Sequence, residues 1–229
     1  MRNILNERPD STLTGRVLYS TRFVSDDDLR EKCVLDIGCG YGWFELHALS
    51  KGVRRIVGTE ITDNDLATAR LHLQDPRAEF AVAGALKLPF PDASFDTVVS
   101  WEVIEHIPKH TENEMFAEAR RVLKPGGVLF LSTPHRSVWS NTLDPAWWLI
   151  GHRHYTPRTL ETIARANGFR VEECQIRGGW WTVLGALDMY IAKWLFRRGP
   201  FYRELFVRKS DAEFERPGFA GLFMRFRKL

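Results

Sequence analysis

Short apolar runs alternate with amphipathic stretches along most of this chain. Runs at Cys33–Ile37, Arg54–Thr59, Glu79–Val82, Phe95–Ser100, Gly127–Thr133, Phe169–Gln175 and Phe219–Arg227 predict buried strands. Helical spacing predicts helices at Phe44–Lys51, Asp63–Leu73, Thr111–Val122 and Pro157–Asn167. Thr156-Pro157 reads as an N-cap followed by a first-turn proline, and Asn167-Gly168 as a glycine stop. Lys124-Pro125-Gly126-Gly127 reads as a turn that ends one helix and opens a strand. Strands alternating with helices predict an α/β fold, with a parallel sheet covered on both faces. No repeat or low-complexity segment interrupts the pattern.

The first predicted strand runs into Gly38-Cys39-Gly40-Tyr41-Gly42, and the second ends at Glu60. Glycines allow a sharp turn and close backbone approach to a ligand, and an acid about 20 residues on suits a pair of ribose hydroxyls. This is the layout of a nucleotide site. Its glycine spacing is not that of a dinucleotide fingerprint, whose third glycine follows the second by three positions. Asp36, two residues before Gly38, would repel a pyrophosphate but suits an ammonium or sulfonium group.

The pattern resembles the class I S-adenosylmethionine-dependent methyltransferases. The resemblance continues through Leu88-Pro89-Phe90-Pro91-Asp92 to Ser100, through Val103-Ile104-Glu105-His106-Ile107, and through Arg121 to Phe130. Within that superfamily the chain is similar to the ubiquinone-biosynthesis O-methyltransferases. The resemblance implies a Rossmann-like three-layer sandwich, its seven-stranded sheet mostly parallel with an antiparallel last strand. It implies S-adenosylmethionine as cofactor, held by Asp36, Gly38, Gly40, Glu60 and Ile61. The Ala85 N–H would face the adenine, with Leu86 in apolar contact. Where the family often carries Gly-Asp-Ala, this chain has Ala83-Gly84-Ala85, which puts an acidic adenine contact in doubt. Arg16, in an Arg-x-x-Tyr pattern with Tyr19, would reach the cofactor carboxylate; the alternative is a solvated surface arginine. Trp101 would wall the cofactor pocket or pack in the core.

His106 is the candidate general base, because an imidazole titrates near pH 6.5, in the range that suits taking a proton from a hydroxyl. A structural role is the alternative. Glu102, Glu105 and His106, with a further histidine from His135, His152 or His154, are also of metal-ligating types; methyl transfer does not require a metal, and none is expected. His135, Trp139, Asn141, Trp147, Trp148, His152, Arg153, His154 and Tyr155 form an aromatic and histidine-rich loop after the fifth strand. That position places it over the ligand in an open α/β sheet, as binding surface or as lid.

With 229 residues, a single domain over 1–229 is expected, carrying an insertion at about 180–216 before the last strand. The formal charge of +3 does not argue for nucleic acid, and no Asn/Asp-Pro-Pro-aromatic motif is present. Three unpatterned cysteines suggest a reducing compartment, and Cys39 reads as a small space-filler. Met1–Asp10 is polar, so a cytoplasmic chain without a secretory signal is expected. The insertion is apolar, then basic. From Trp180 onward there are ten basic residues against five acidic ones. Trp180–Phe196 would reach only about 25 Å as a helix, short of a ~30 Å bilayer core. It is expected either to pack on the domain or a second subunit, or to lie in a membrane interface through residues 180–209. In that second arrangement Trp180, Trp181 and Trp194 sit at head-group depth, with Arg197, Arg198, Arg203, Arg208 and Lys209 facing anionic lipid.

The expected function is S-adenosylmethionine-dependent methylation, most simply at oxygen, of a small-molecule, glycan or lipid-linked acceptor. The alternatives are a C-methyltransferase of quinone or lipid type, and a non-catalytic module that keeps the cofactor fold.

Overall fold

The computed structural model describes residues 8–144, Trp147 and residues 151–229. Their elements run α1 (Gly15–Phe23), β1 (Cys33–Ile37), α2 (Trp43–Ser50), β2 (Arg55–Glu60), α3 (Asp63–His72), β3 (Ala78–Val82), β4 (Phe95–Trp101), α4 (Glu112–Val122) and β5 (Leu123–Pro134). They continue with α5 (Val138–Leu143), α6 (Pro157–Ala166), β6 (Phe169–Arg177), α7 (Trp180–Leu195), α8 (Arg203–Phe214) and β7 (Gly221–Lys228).

The strands form one seven-stranded sheet in the order β3-β2-β1-β4-β5-β7-β6. β1 to β5 pair parallel, while β7 runs antiparallel to both β5 and β6. The expected sheet, with its antiparallel last strand, is present.

Successive side chains on a strand point to opposite faces. That period divides the core into two layers. Leu35, Val57, Val98 and Leu129 face α4 and α6, meeting Phe116, Ala119, Val122 and Leu160. Val34, Ile56, Val99 and Phe130 face the other way and meet Phe23, Phe44, Ala48 and Phe223. Asp36 shares the face of Val34, so its position two residues on places a carboxylate inside the second layer.

Capping sets where several helices begin. Thr156 Oγ1 accepts from the Thr159 N–H at 3.1 Å beside Pro157, as expected, and Thr62 accepts from Asp65 at the start of α3. α6 stops at Asn167-Gly168, with Gly168 at φ +73°. β5 begins earlier than expected, at Leu123, because the backbone stays extended through Lys124-Pro125 before the glycines.

The insertion is a helical hairpin, α7 and α8, set between β6 and β7. Glu213 joins its two arms: its carboxylate accepts from the backbone N–H groups of Gly179, Trp181 and Thr182 at 2.8–3.0 Å, capping α7. Among the described residues no helix is long and apolar enough to cross a membrane.

Candidate functional site

The strand order reverses between β1 and β4, and ligands in open α/β sheets bind beyond the carboxyl ends of the strands at such a reversal. A cavity of about 970 Å³ lies there. Gly38, Gly40, Glu60, Ile61, Ala85 and His106 all line it, so six positions from four separate segments converge on one space.

The glycine turn is built on backbone conformations that suit glycine. Gly38 has φ +79°, and a Cβ there would stand 2.4 Å from Val103 Cγ2. Gly40 has φ +58° and open space where its Cβ would be. Its N–H donates to Glu60 Oε1 at 2.8 Å, tying the turn to the end of β2.

Behind the turn lie two further carboxyl groups. Asp36 is 1% exposed and Glu45 0%. Neither has a hydrogen-bond partner among the described residues. Burial, then the neighbouring Glu45 and Glu60, holds the Asp36 carboxyl well above the usual carboxylate range. Burial pushes Glu45 up to about 8, and it also raises Glu60. Cys39 fills space beside them, its thiol pushed up by burial, in keeping with the space-filling reading. Three carboxyl groups held toward neutrality around a glycine turn form a site that a cation would relieve. A ribose-bearing ligand with a positive charge fits this donor and acceptor set.

Arg16, Trp101 and Asp36, expected at the cofactor, do not themselves line the cavity. Arg16 donates to Glu102 Oε2 at 2.6 Å, and Glu102 lines the cavity. Trp101 is 7% exposed and packs against Trp43 and Phe44, behind the lining. Tyr19 belongs to an aromatic cluster with Phe23, Phe214 and Phe223.

Residues 102–107 form a bend and a turn rather than a helix, so the i, i+4 spacing of Glu102 and His106 does not set them on one helix face. Glu102 has φ +57°, rare for a residue with a side chain. It is clamped by Arg16 and by Ser132, whose Oγ donates to Oε1 at 2.7 Å. Glu105 is buried, accepts from Thr133 Oγ1 at 3.0 Å, and is held well above the carboxylate range by burial and by Glu102. Arg153 fixes the turn from outside: it pairs with Glu112 at 2.6 Å and donates to the carbonyls of Ile104 and Ile107.

His106 lines the cavity and meets His152, Nε2 to Nε2, at 3.2 Å. His152 Nδ1 lies 3.4 Å from Asp144 Oδ2, which also meets His154 Nε2 at 2.8 Å. His106 is solvent-accessible at the cavity wall; partial desolvation, then His152, lowers its pKa and favours the neutral ring. Donor atoms of Glu105, His106 and His152 lie within 4.8 Å of one another, as do those of Asp144, His152 and His154. His135 is not part of either group; its Nδ1 faces the Phe219 carbonyl at 3.1 Å. Trp148 lies outside the described residues.

A methyltransferase-domain family model matches residues 35–131. A probable S-adenosylmethionine-dependent methyltransferase of Mycolicibacterium smegmatis is 33% identical over 140 residues, covering 61% of this chain and 52% of that protein. The ubiquinone biosynthesis O-methyltransferase of Idiomarina loihiensis is 32% identical over 128 residues, covering 55% and 49%. The crystal structure of an S-adenosylmethionine-dependent methyltransferase from Mesorhizobium loti superposes with a TM-score of 0.63 at 20% identity, covering 91% of this chain and 95% of that one.

Residues 35–131 thus match a methyltransferase domain, and the chain is similar to S-adenosylmethionine-dependent methyltransferases and shares their fold.

S-adenosylmethionine, the cofactor named for these relatives, carries sulfonium and amino groups, positive charge of the kind that this carboxyl cluster would accommodate. The chain spans 39–52% of the length of the first curated relatives it matches. Relatives of the superfamily match this chain with both O- and N-methyltransferase names.

The carboxyl cluster sets a pH dependence. Glu45 ionises near its ordinary 4.5 when unfolded but at about 8 when folded. Its folded form therefore holds the proton more tightly, and its stabilising contribution falls as pH rises from 4.5 toward 8. Glu45→Gln is expected to raise the melting temperature at pH 8 more than at pH 5.5, by differential scanning fluorimetry. An equal effect at both pH values would remove Glu45 from this account.

Proposed function

We propose that this chain transfers the methyl group of S-adenosylmethionine to an oxygen of a small-molecule, glycan or lipid-linked acceptor. The convergence of Gly38, Gly40, Glu60 and His106 on one cavity carries this reading. When bound, the cofactor supplies a methyl group activated for direct displacement by its positive sulfur. Glu60 holds the ribose hydroxyls as a carboxylate acceptor, and Asp36 supports the amino end. Gly38 and Gly40 place backbone against the methionine part. Ala85 N–H and Leu86 take the adenine, as Ala83-Gly84-Ala85 offers no acid for it. Arg16, held by Glu102, serves the carboxylate end.

His106 takes the acceptor proton. Its tautomer follows from its neighbours. Asp144 accepts from His152 Nδ1–H, which leaves His152 Nε2 as an acceptor. His106 then donates Nε2–H to His152, and its Nδ1 lone pair is the basic atom. Partial desolvation and the neighbouring His152 favour the neutral ring of this solvent-accessible histidine, the form that can accept a proton.

The test uses cofactor labelled with ¹³C in its methyl group and an organic-solvent extract of the source cells. Label is expected in the organic phase, at a chemical shift that identifies an oxygen-bound methyl. His106→Ala is expected to lower incorporation by ~100-fold or more without changing cofactor affinity. Unchanged incorporation would return His106 to a structural role. Loss on chelation, restored by a divalent ion, would assign the His106–His152 pair to a metal instead.

A further inference from the structure

The α7–α8 hairpin carries a feature that methyl transfer does not use. Its tip, from Trp194 to Leu205, is exposed at every position except Pro200, which is half-buried. Leu195 is 74% exposed, Phe196 59% and Tyr202 64%, with Trp194, Phe201 and Leu205 also open to solvent. These are not scattered side chains. Phe196 and Phe201 meet edge to face at 5.2 Å, and the Arg198 guanidinium sits over the Phe201 ring at 4.5 Å. The segment 193–209 holds six basic residues and one acidic residue, Glu204. Apolar and aromatic groups thus form a knob ringed by arginine.

Elsewhere on the hairpin Trp180, Leu184 and Ile191 are also exposed, but two of its indoles have partners. Trp181 packs on Phe206 with Lys209 over its ring, and Trp180 packs on Trp139 and Phe219. The exposed apolar side chains are densest at the tip, where Trp194, Leu195, Phe196, Phe201, Tyr202 and Leu205 lie close together in sequence. A membrane span is also excluded for the described helices.

We propose that this tip docks the protein on an anionic lipid surface, with Trp194, Phe196 and Phe201 entering the head-group layer and Arg197, Arg198 and Arg203 meeting lipid phosphates. Three observations favour lipid over a second copy of the chain. An arginine ring complements an anionic plane, whereas a two-fold contact between tips would set the same arginines against each other. Aromatic side chains with adjacent cations are suited to the water–lipid boundary. The tip also adjoins the site: Lys193 lines the cavity while the next residue, Trp194, is exposed. Docking would hold the cavity mouth near the bilayer, which, resting on the methyl-transfer reading above, favours a lipid-borne acceptor.

Vesicle sedimentation tests this without any activity assay. Binding is expected to phosphatidylcholine vesicles containing phosphatidylglycerol, to be weak on phosphatidylcholine alone, and to weaken in high salt. Arg197→Glu/Arg198→Glu and, separately, Phe196→Ser/Phe201→Ser are each expected to lower the bound fraction by about tenfold. Both variants lie outside the cavity, so retained S-adenosylmethionine binding confirms that they fold. Equal recovery in the supernatant with and without anionic vesicles overturns the proposal, as does undiminished binding by both variants. So does a wild-type dimer that Phe196→Ser/Phe201→Ser disperses while no vesicle binding is seen; that result assigns the tip to a second copy.

Discussion

Gly38→Ala is expected to cost about 2–5 kcal/mol of stability and to abolish measurable cofactor binding. Two independent terms add. An L side chain in the left-handed region costs about 1–2 kcal/mol, and Gly38 sits at φ +79°. Its new Cβ would also stand 2.4 Å from Val103 Cγ2, a contact that the half-buried valine must yield to. Overpacking of this kind costs roughly 1–3 kcal/mol. Urea unfolding measures the sum. The double variant Gly38→Ala/Val103→Ala separates the terms: it should recover the steric part and leave the backbone part. A single variant as stable as wild type would mean that the turn is not held as described.

Glu60→Ala is expected to raise the Kd for S-adenosylmethionine by about tenfold to a hundredfold, the equivalent of roughly 1.5–3 kcal/mol for a charge-assisted hydrogen bond. The side chain has two tasks. Oε1 accepts from Gly40 N–H at 2.8 Å, and the carboxylate faces the cavity. Glu60→Gln retains an acceptor for Gly40 while losing the charge, so its Kd should fall between wild type and Glu60→Ala. Isothermal titration checks both. If Glu60→Ala binds as tightly as wild type, the ribose is held elsewhere.

Much of the site is readable from one sequence because its chemistry is local. Gly38, Gly40 and Glu60 lie on two neighbouring strands and their turns, where the need for glycine and the strand-end acid are set within a short stretch of chain. The sheet is readable for a similar reason: buried parallel strands are continuous apolar runs, and proline and glycine mark where the chain turns. Glu45 is not readable. Nothing in its helix marks it as different from a solvated first-turn acid, and only the packing of α2 on β2 buries it. The pairing of His106 with His152 joins positions 46 residues apart. It depends on the chain after β5 folding back over the 102–107 turn, held by Arg153 and by Tyr155, which bonds Glu112 at 2.9 Å. Helical spacing also misleads at Glu102 and His106, because a positive φ at Glu102 turns the chain before a helix can form. In the insertion, composition announces both apolar and basic character. It does not say that Trp181 turns inward onto α8 while Trp194 turns out.

The central claim is that the cavity at the glycine turn is an S-adenosylmethionine site. Isothermal titration of the wild-type chain tests it most directly. One molecule of S-adenosylmethionine should bind per chain, S-adenosylhomocysteine should compete for the same site, and NAD should give no heat. Binding of NAD with no response to S-adenosylmethionine would contradict the account.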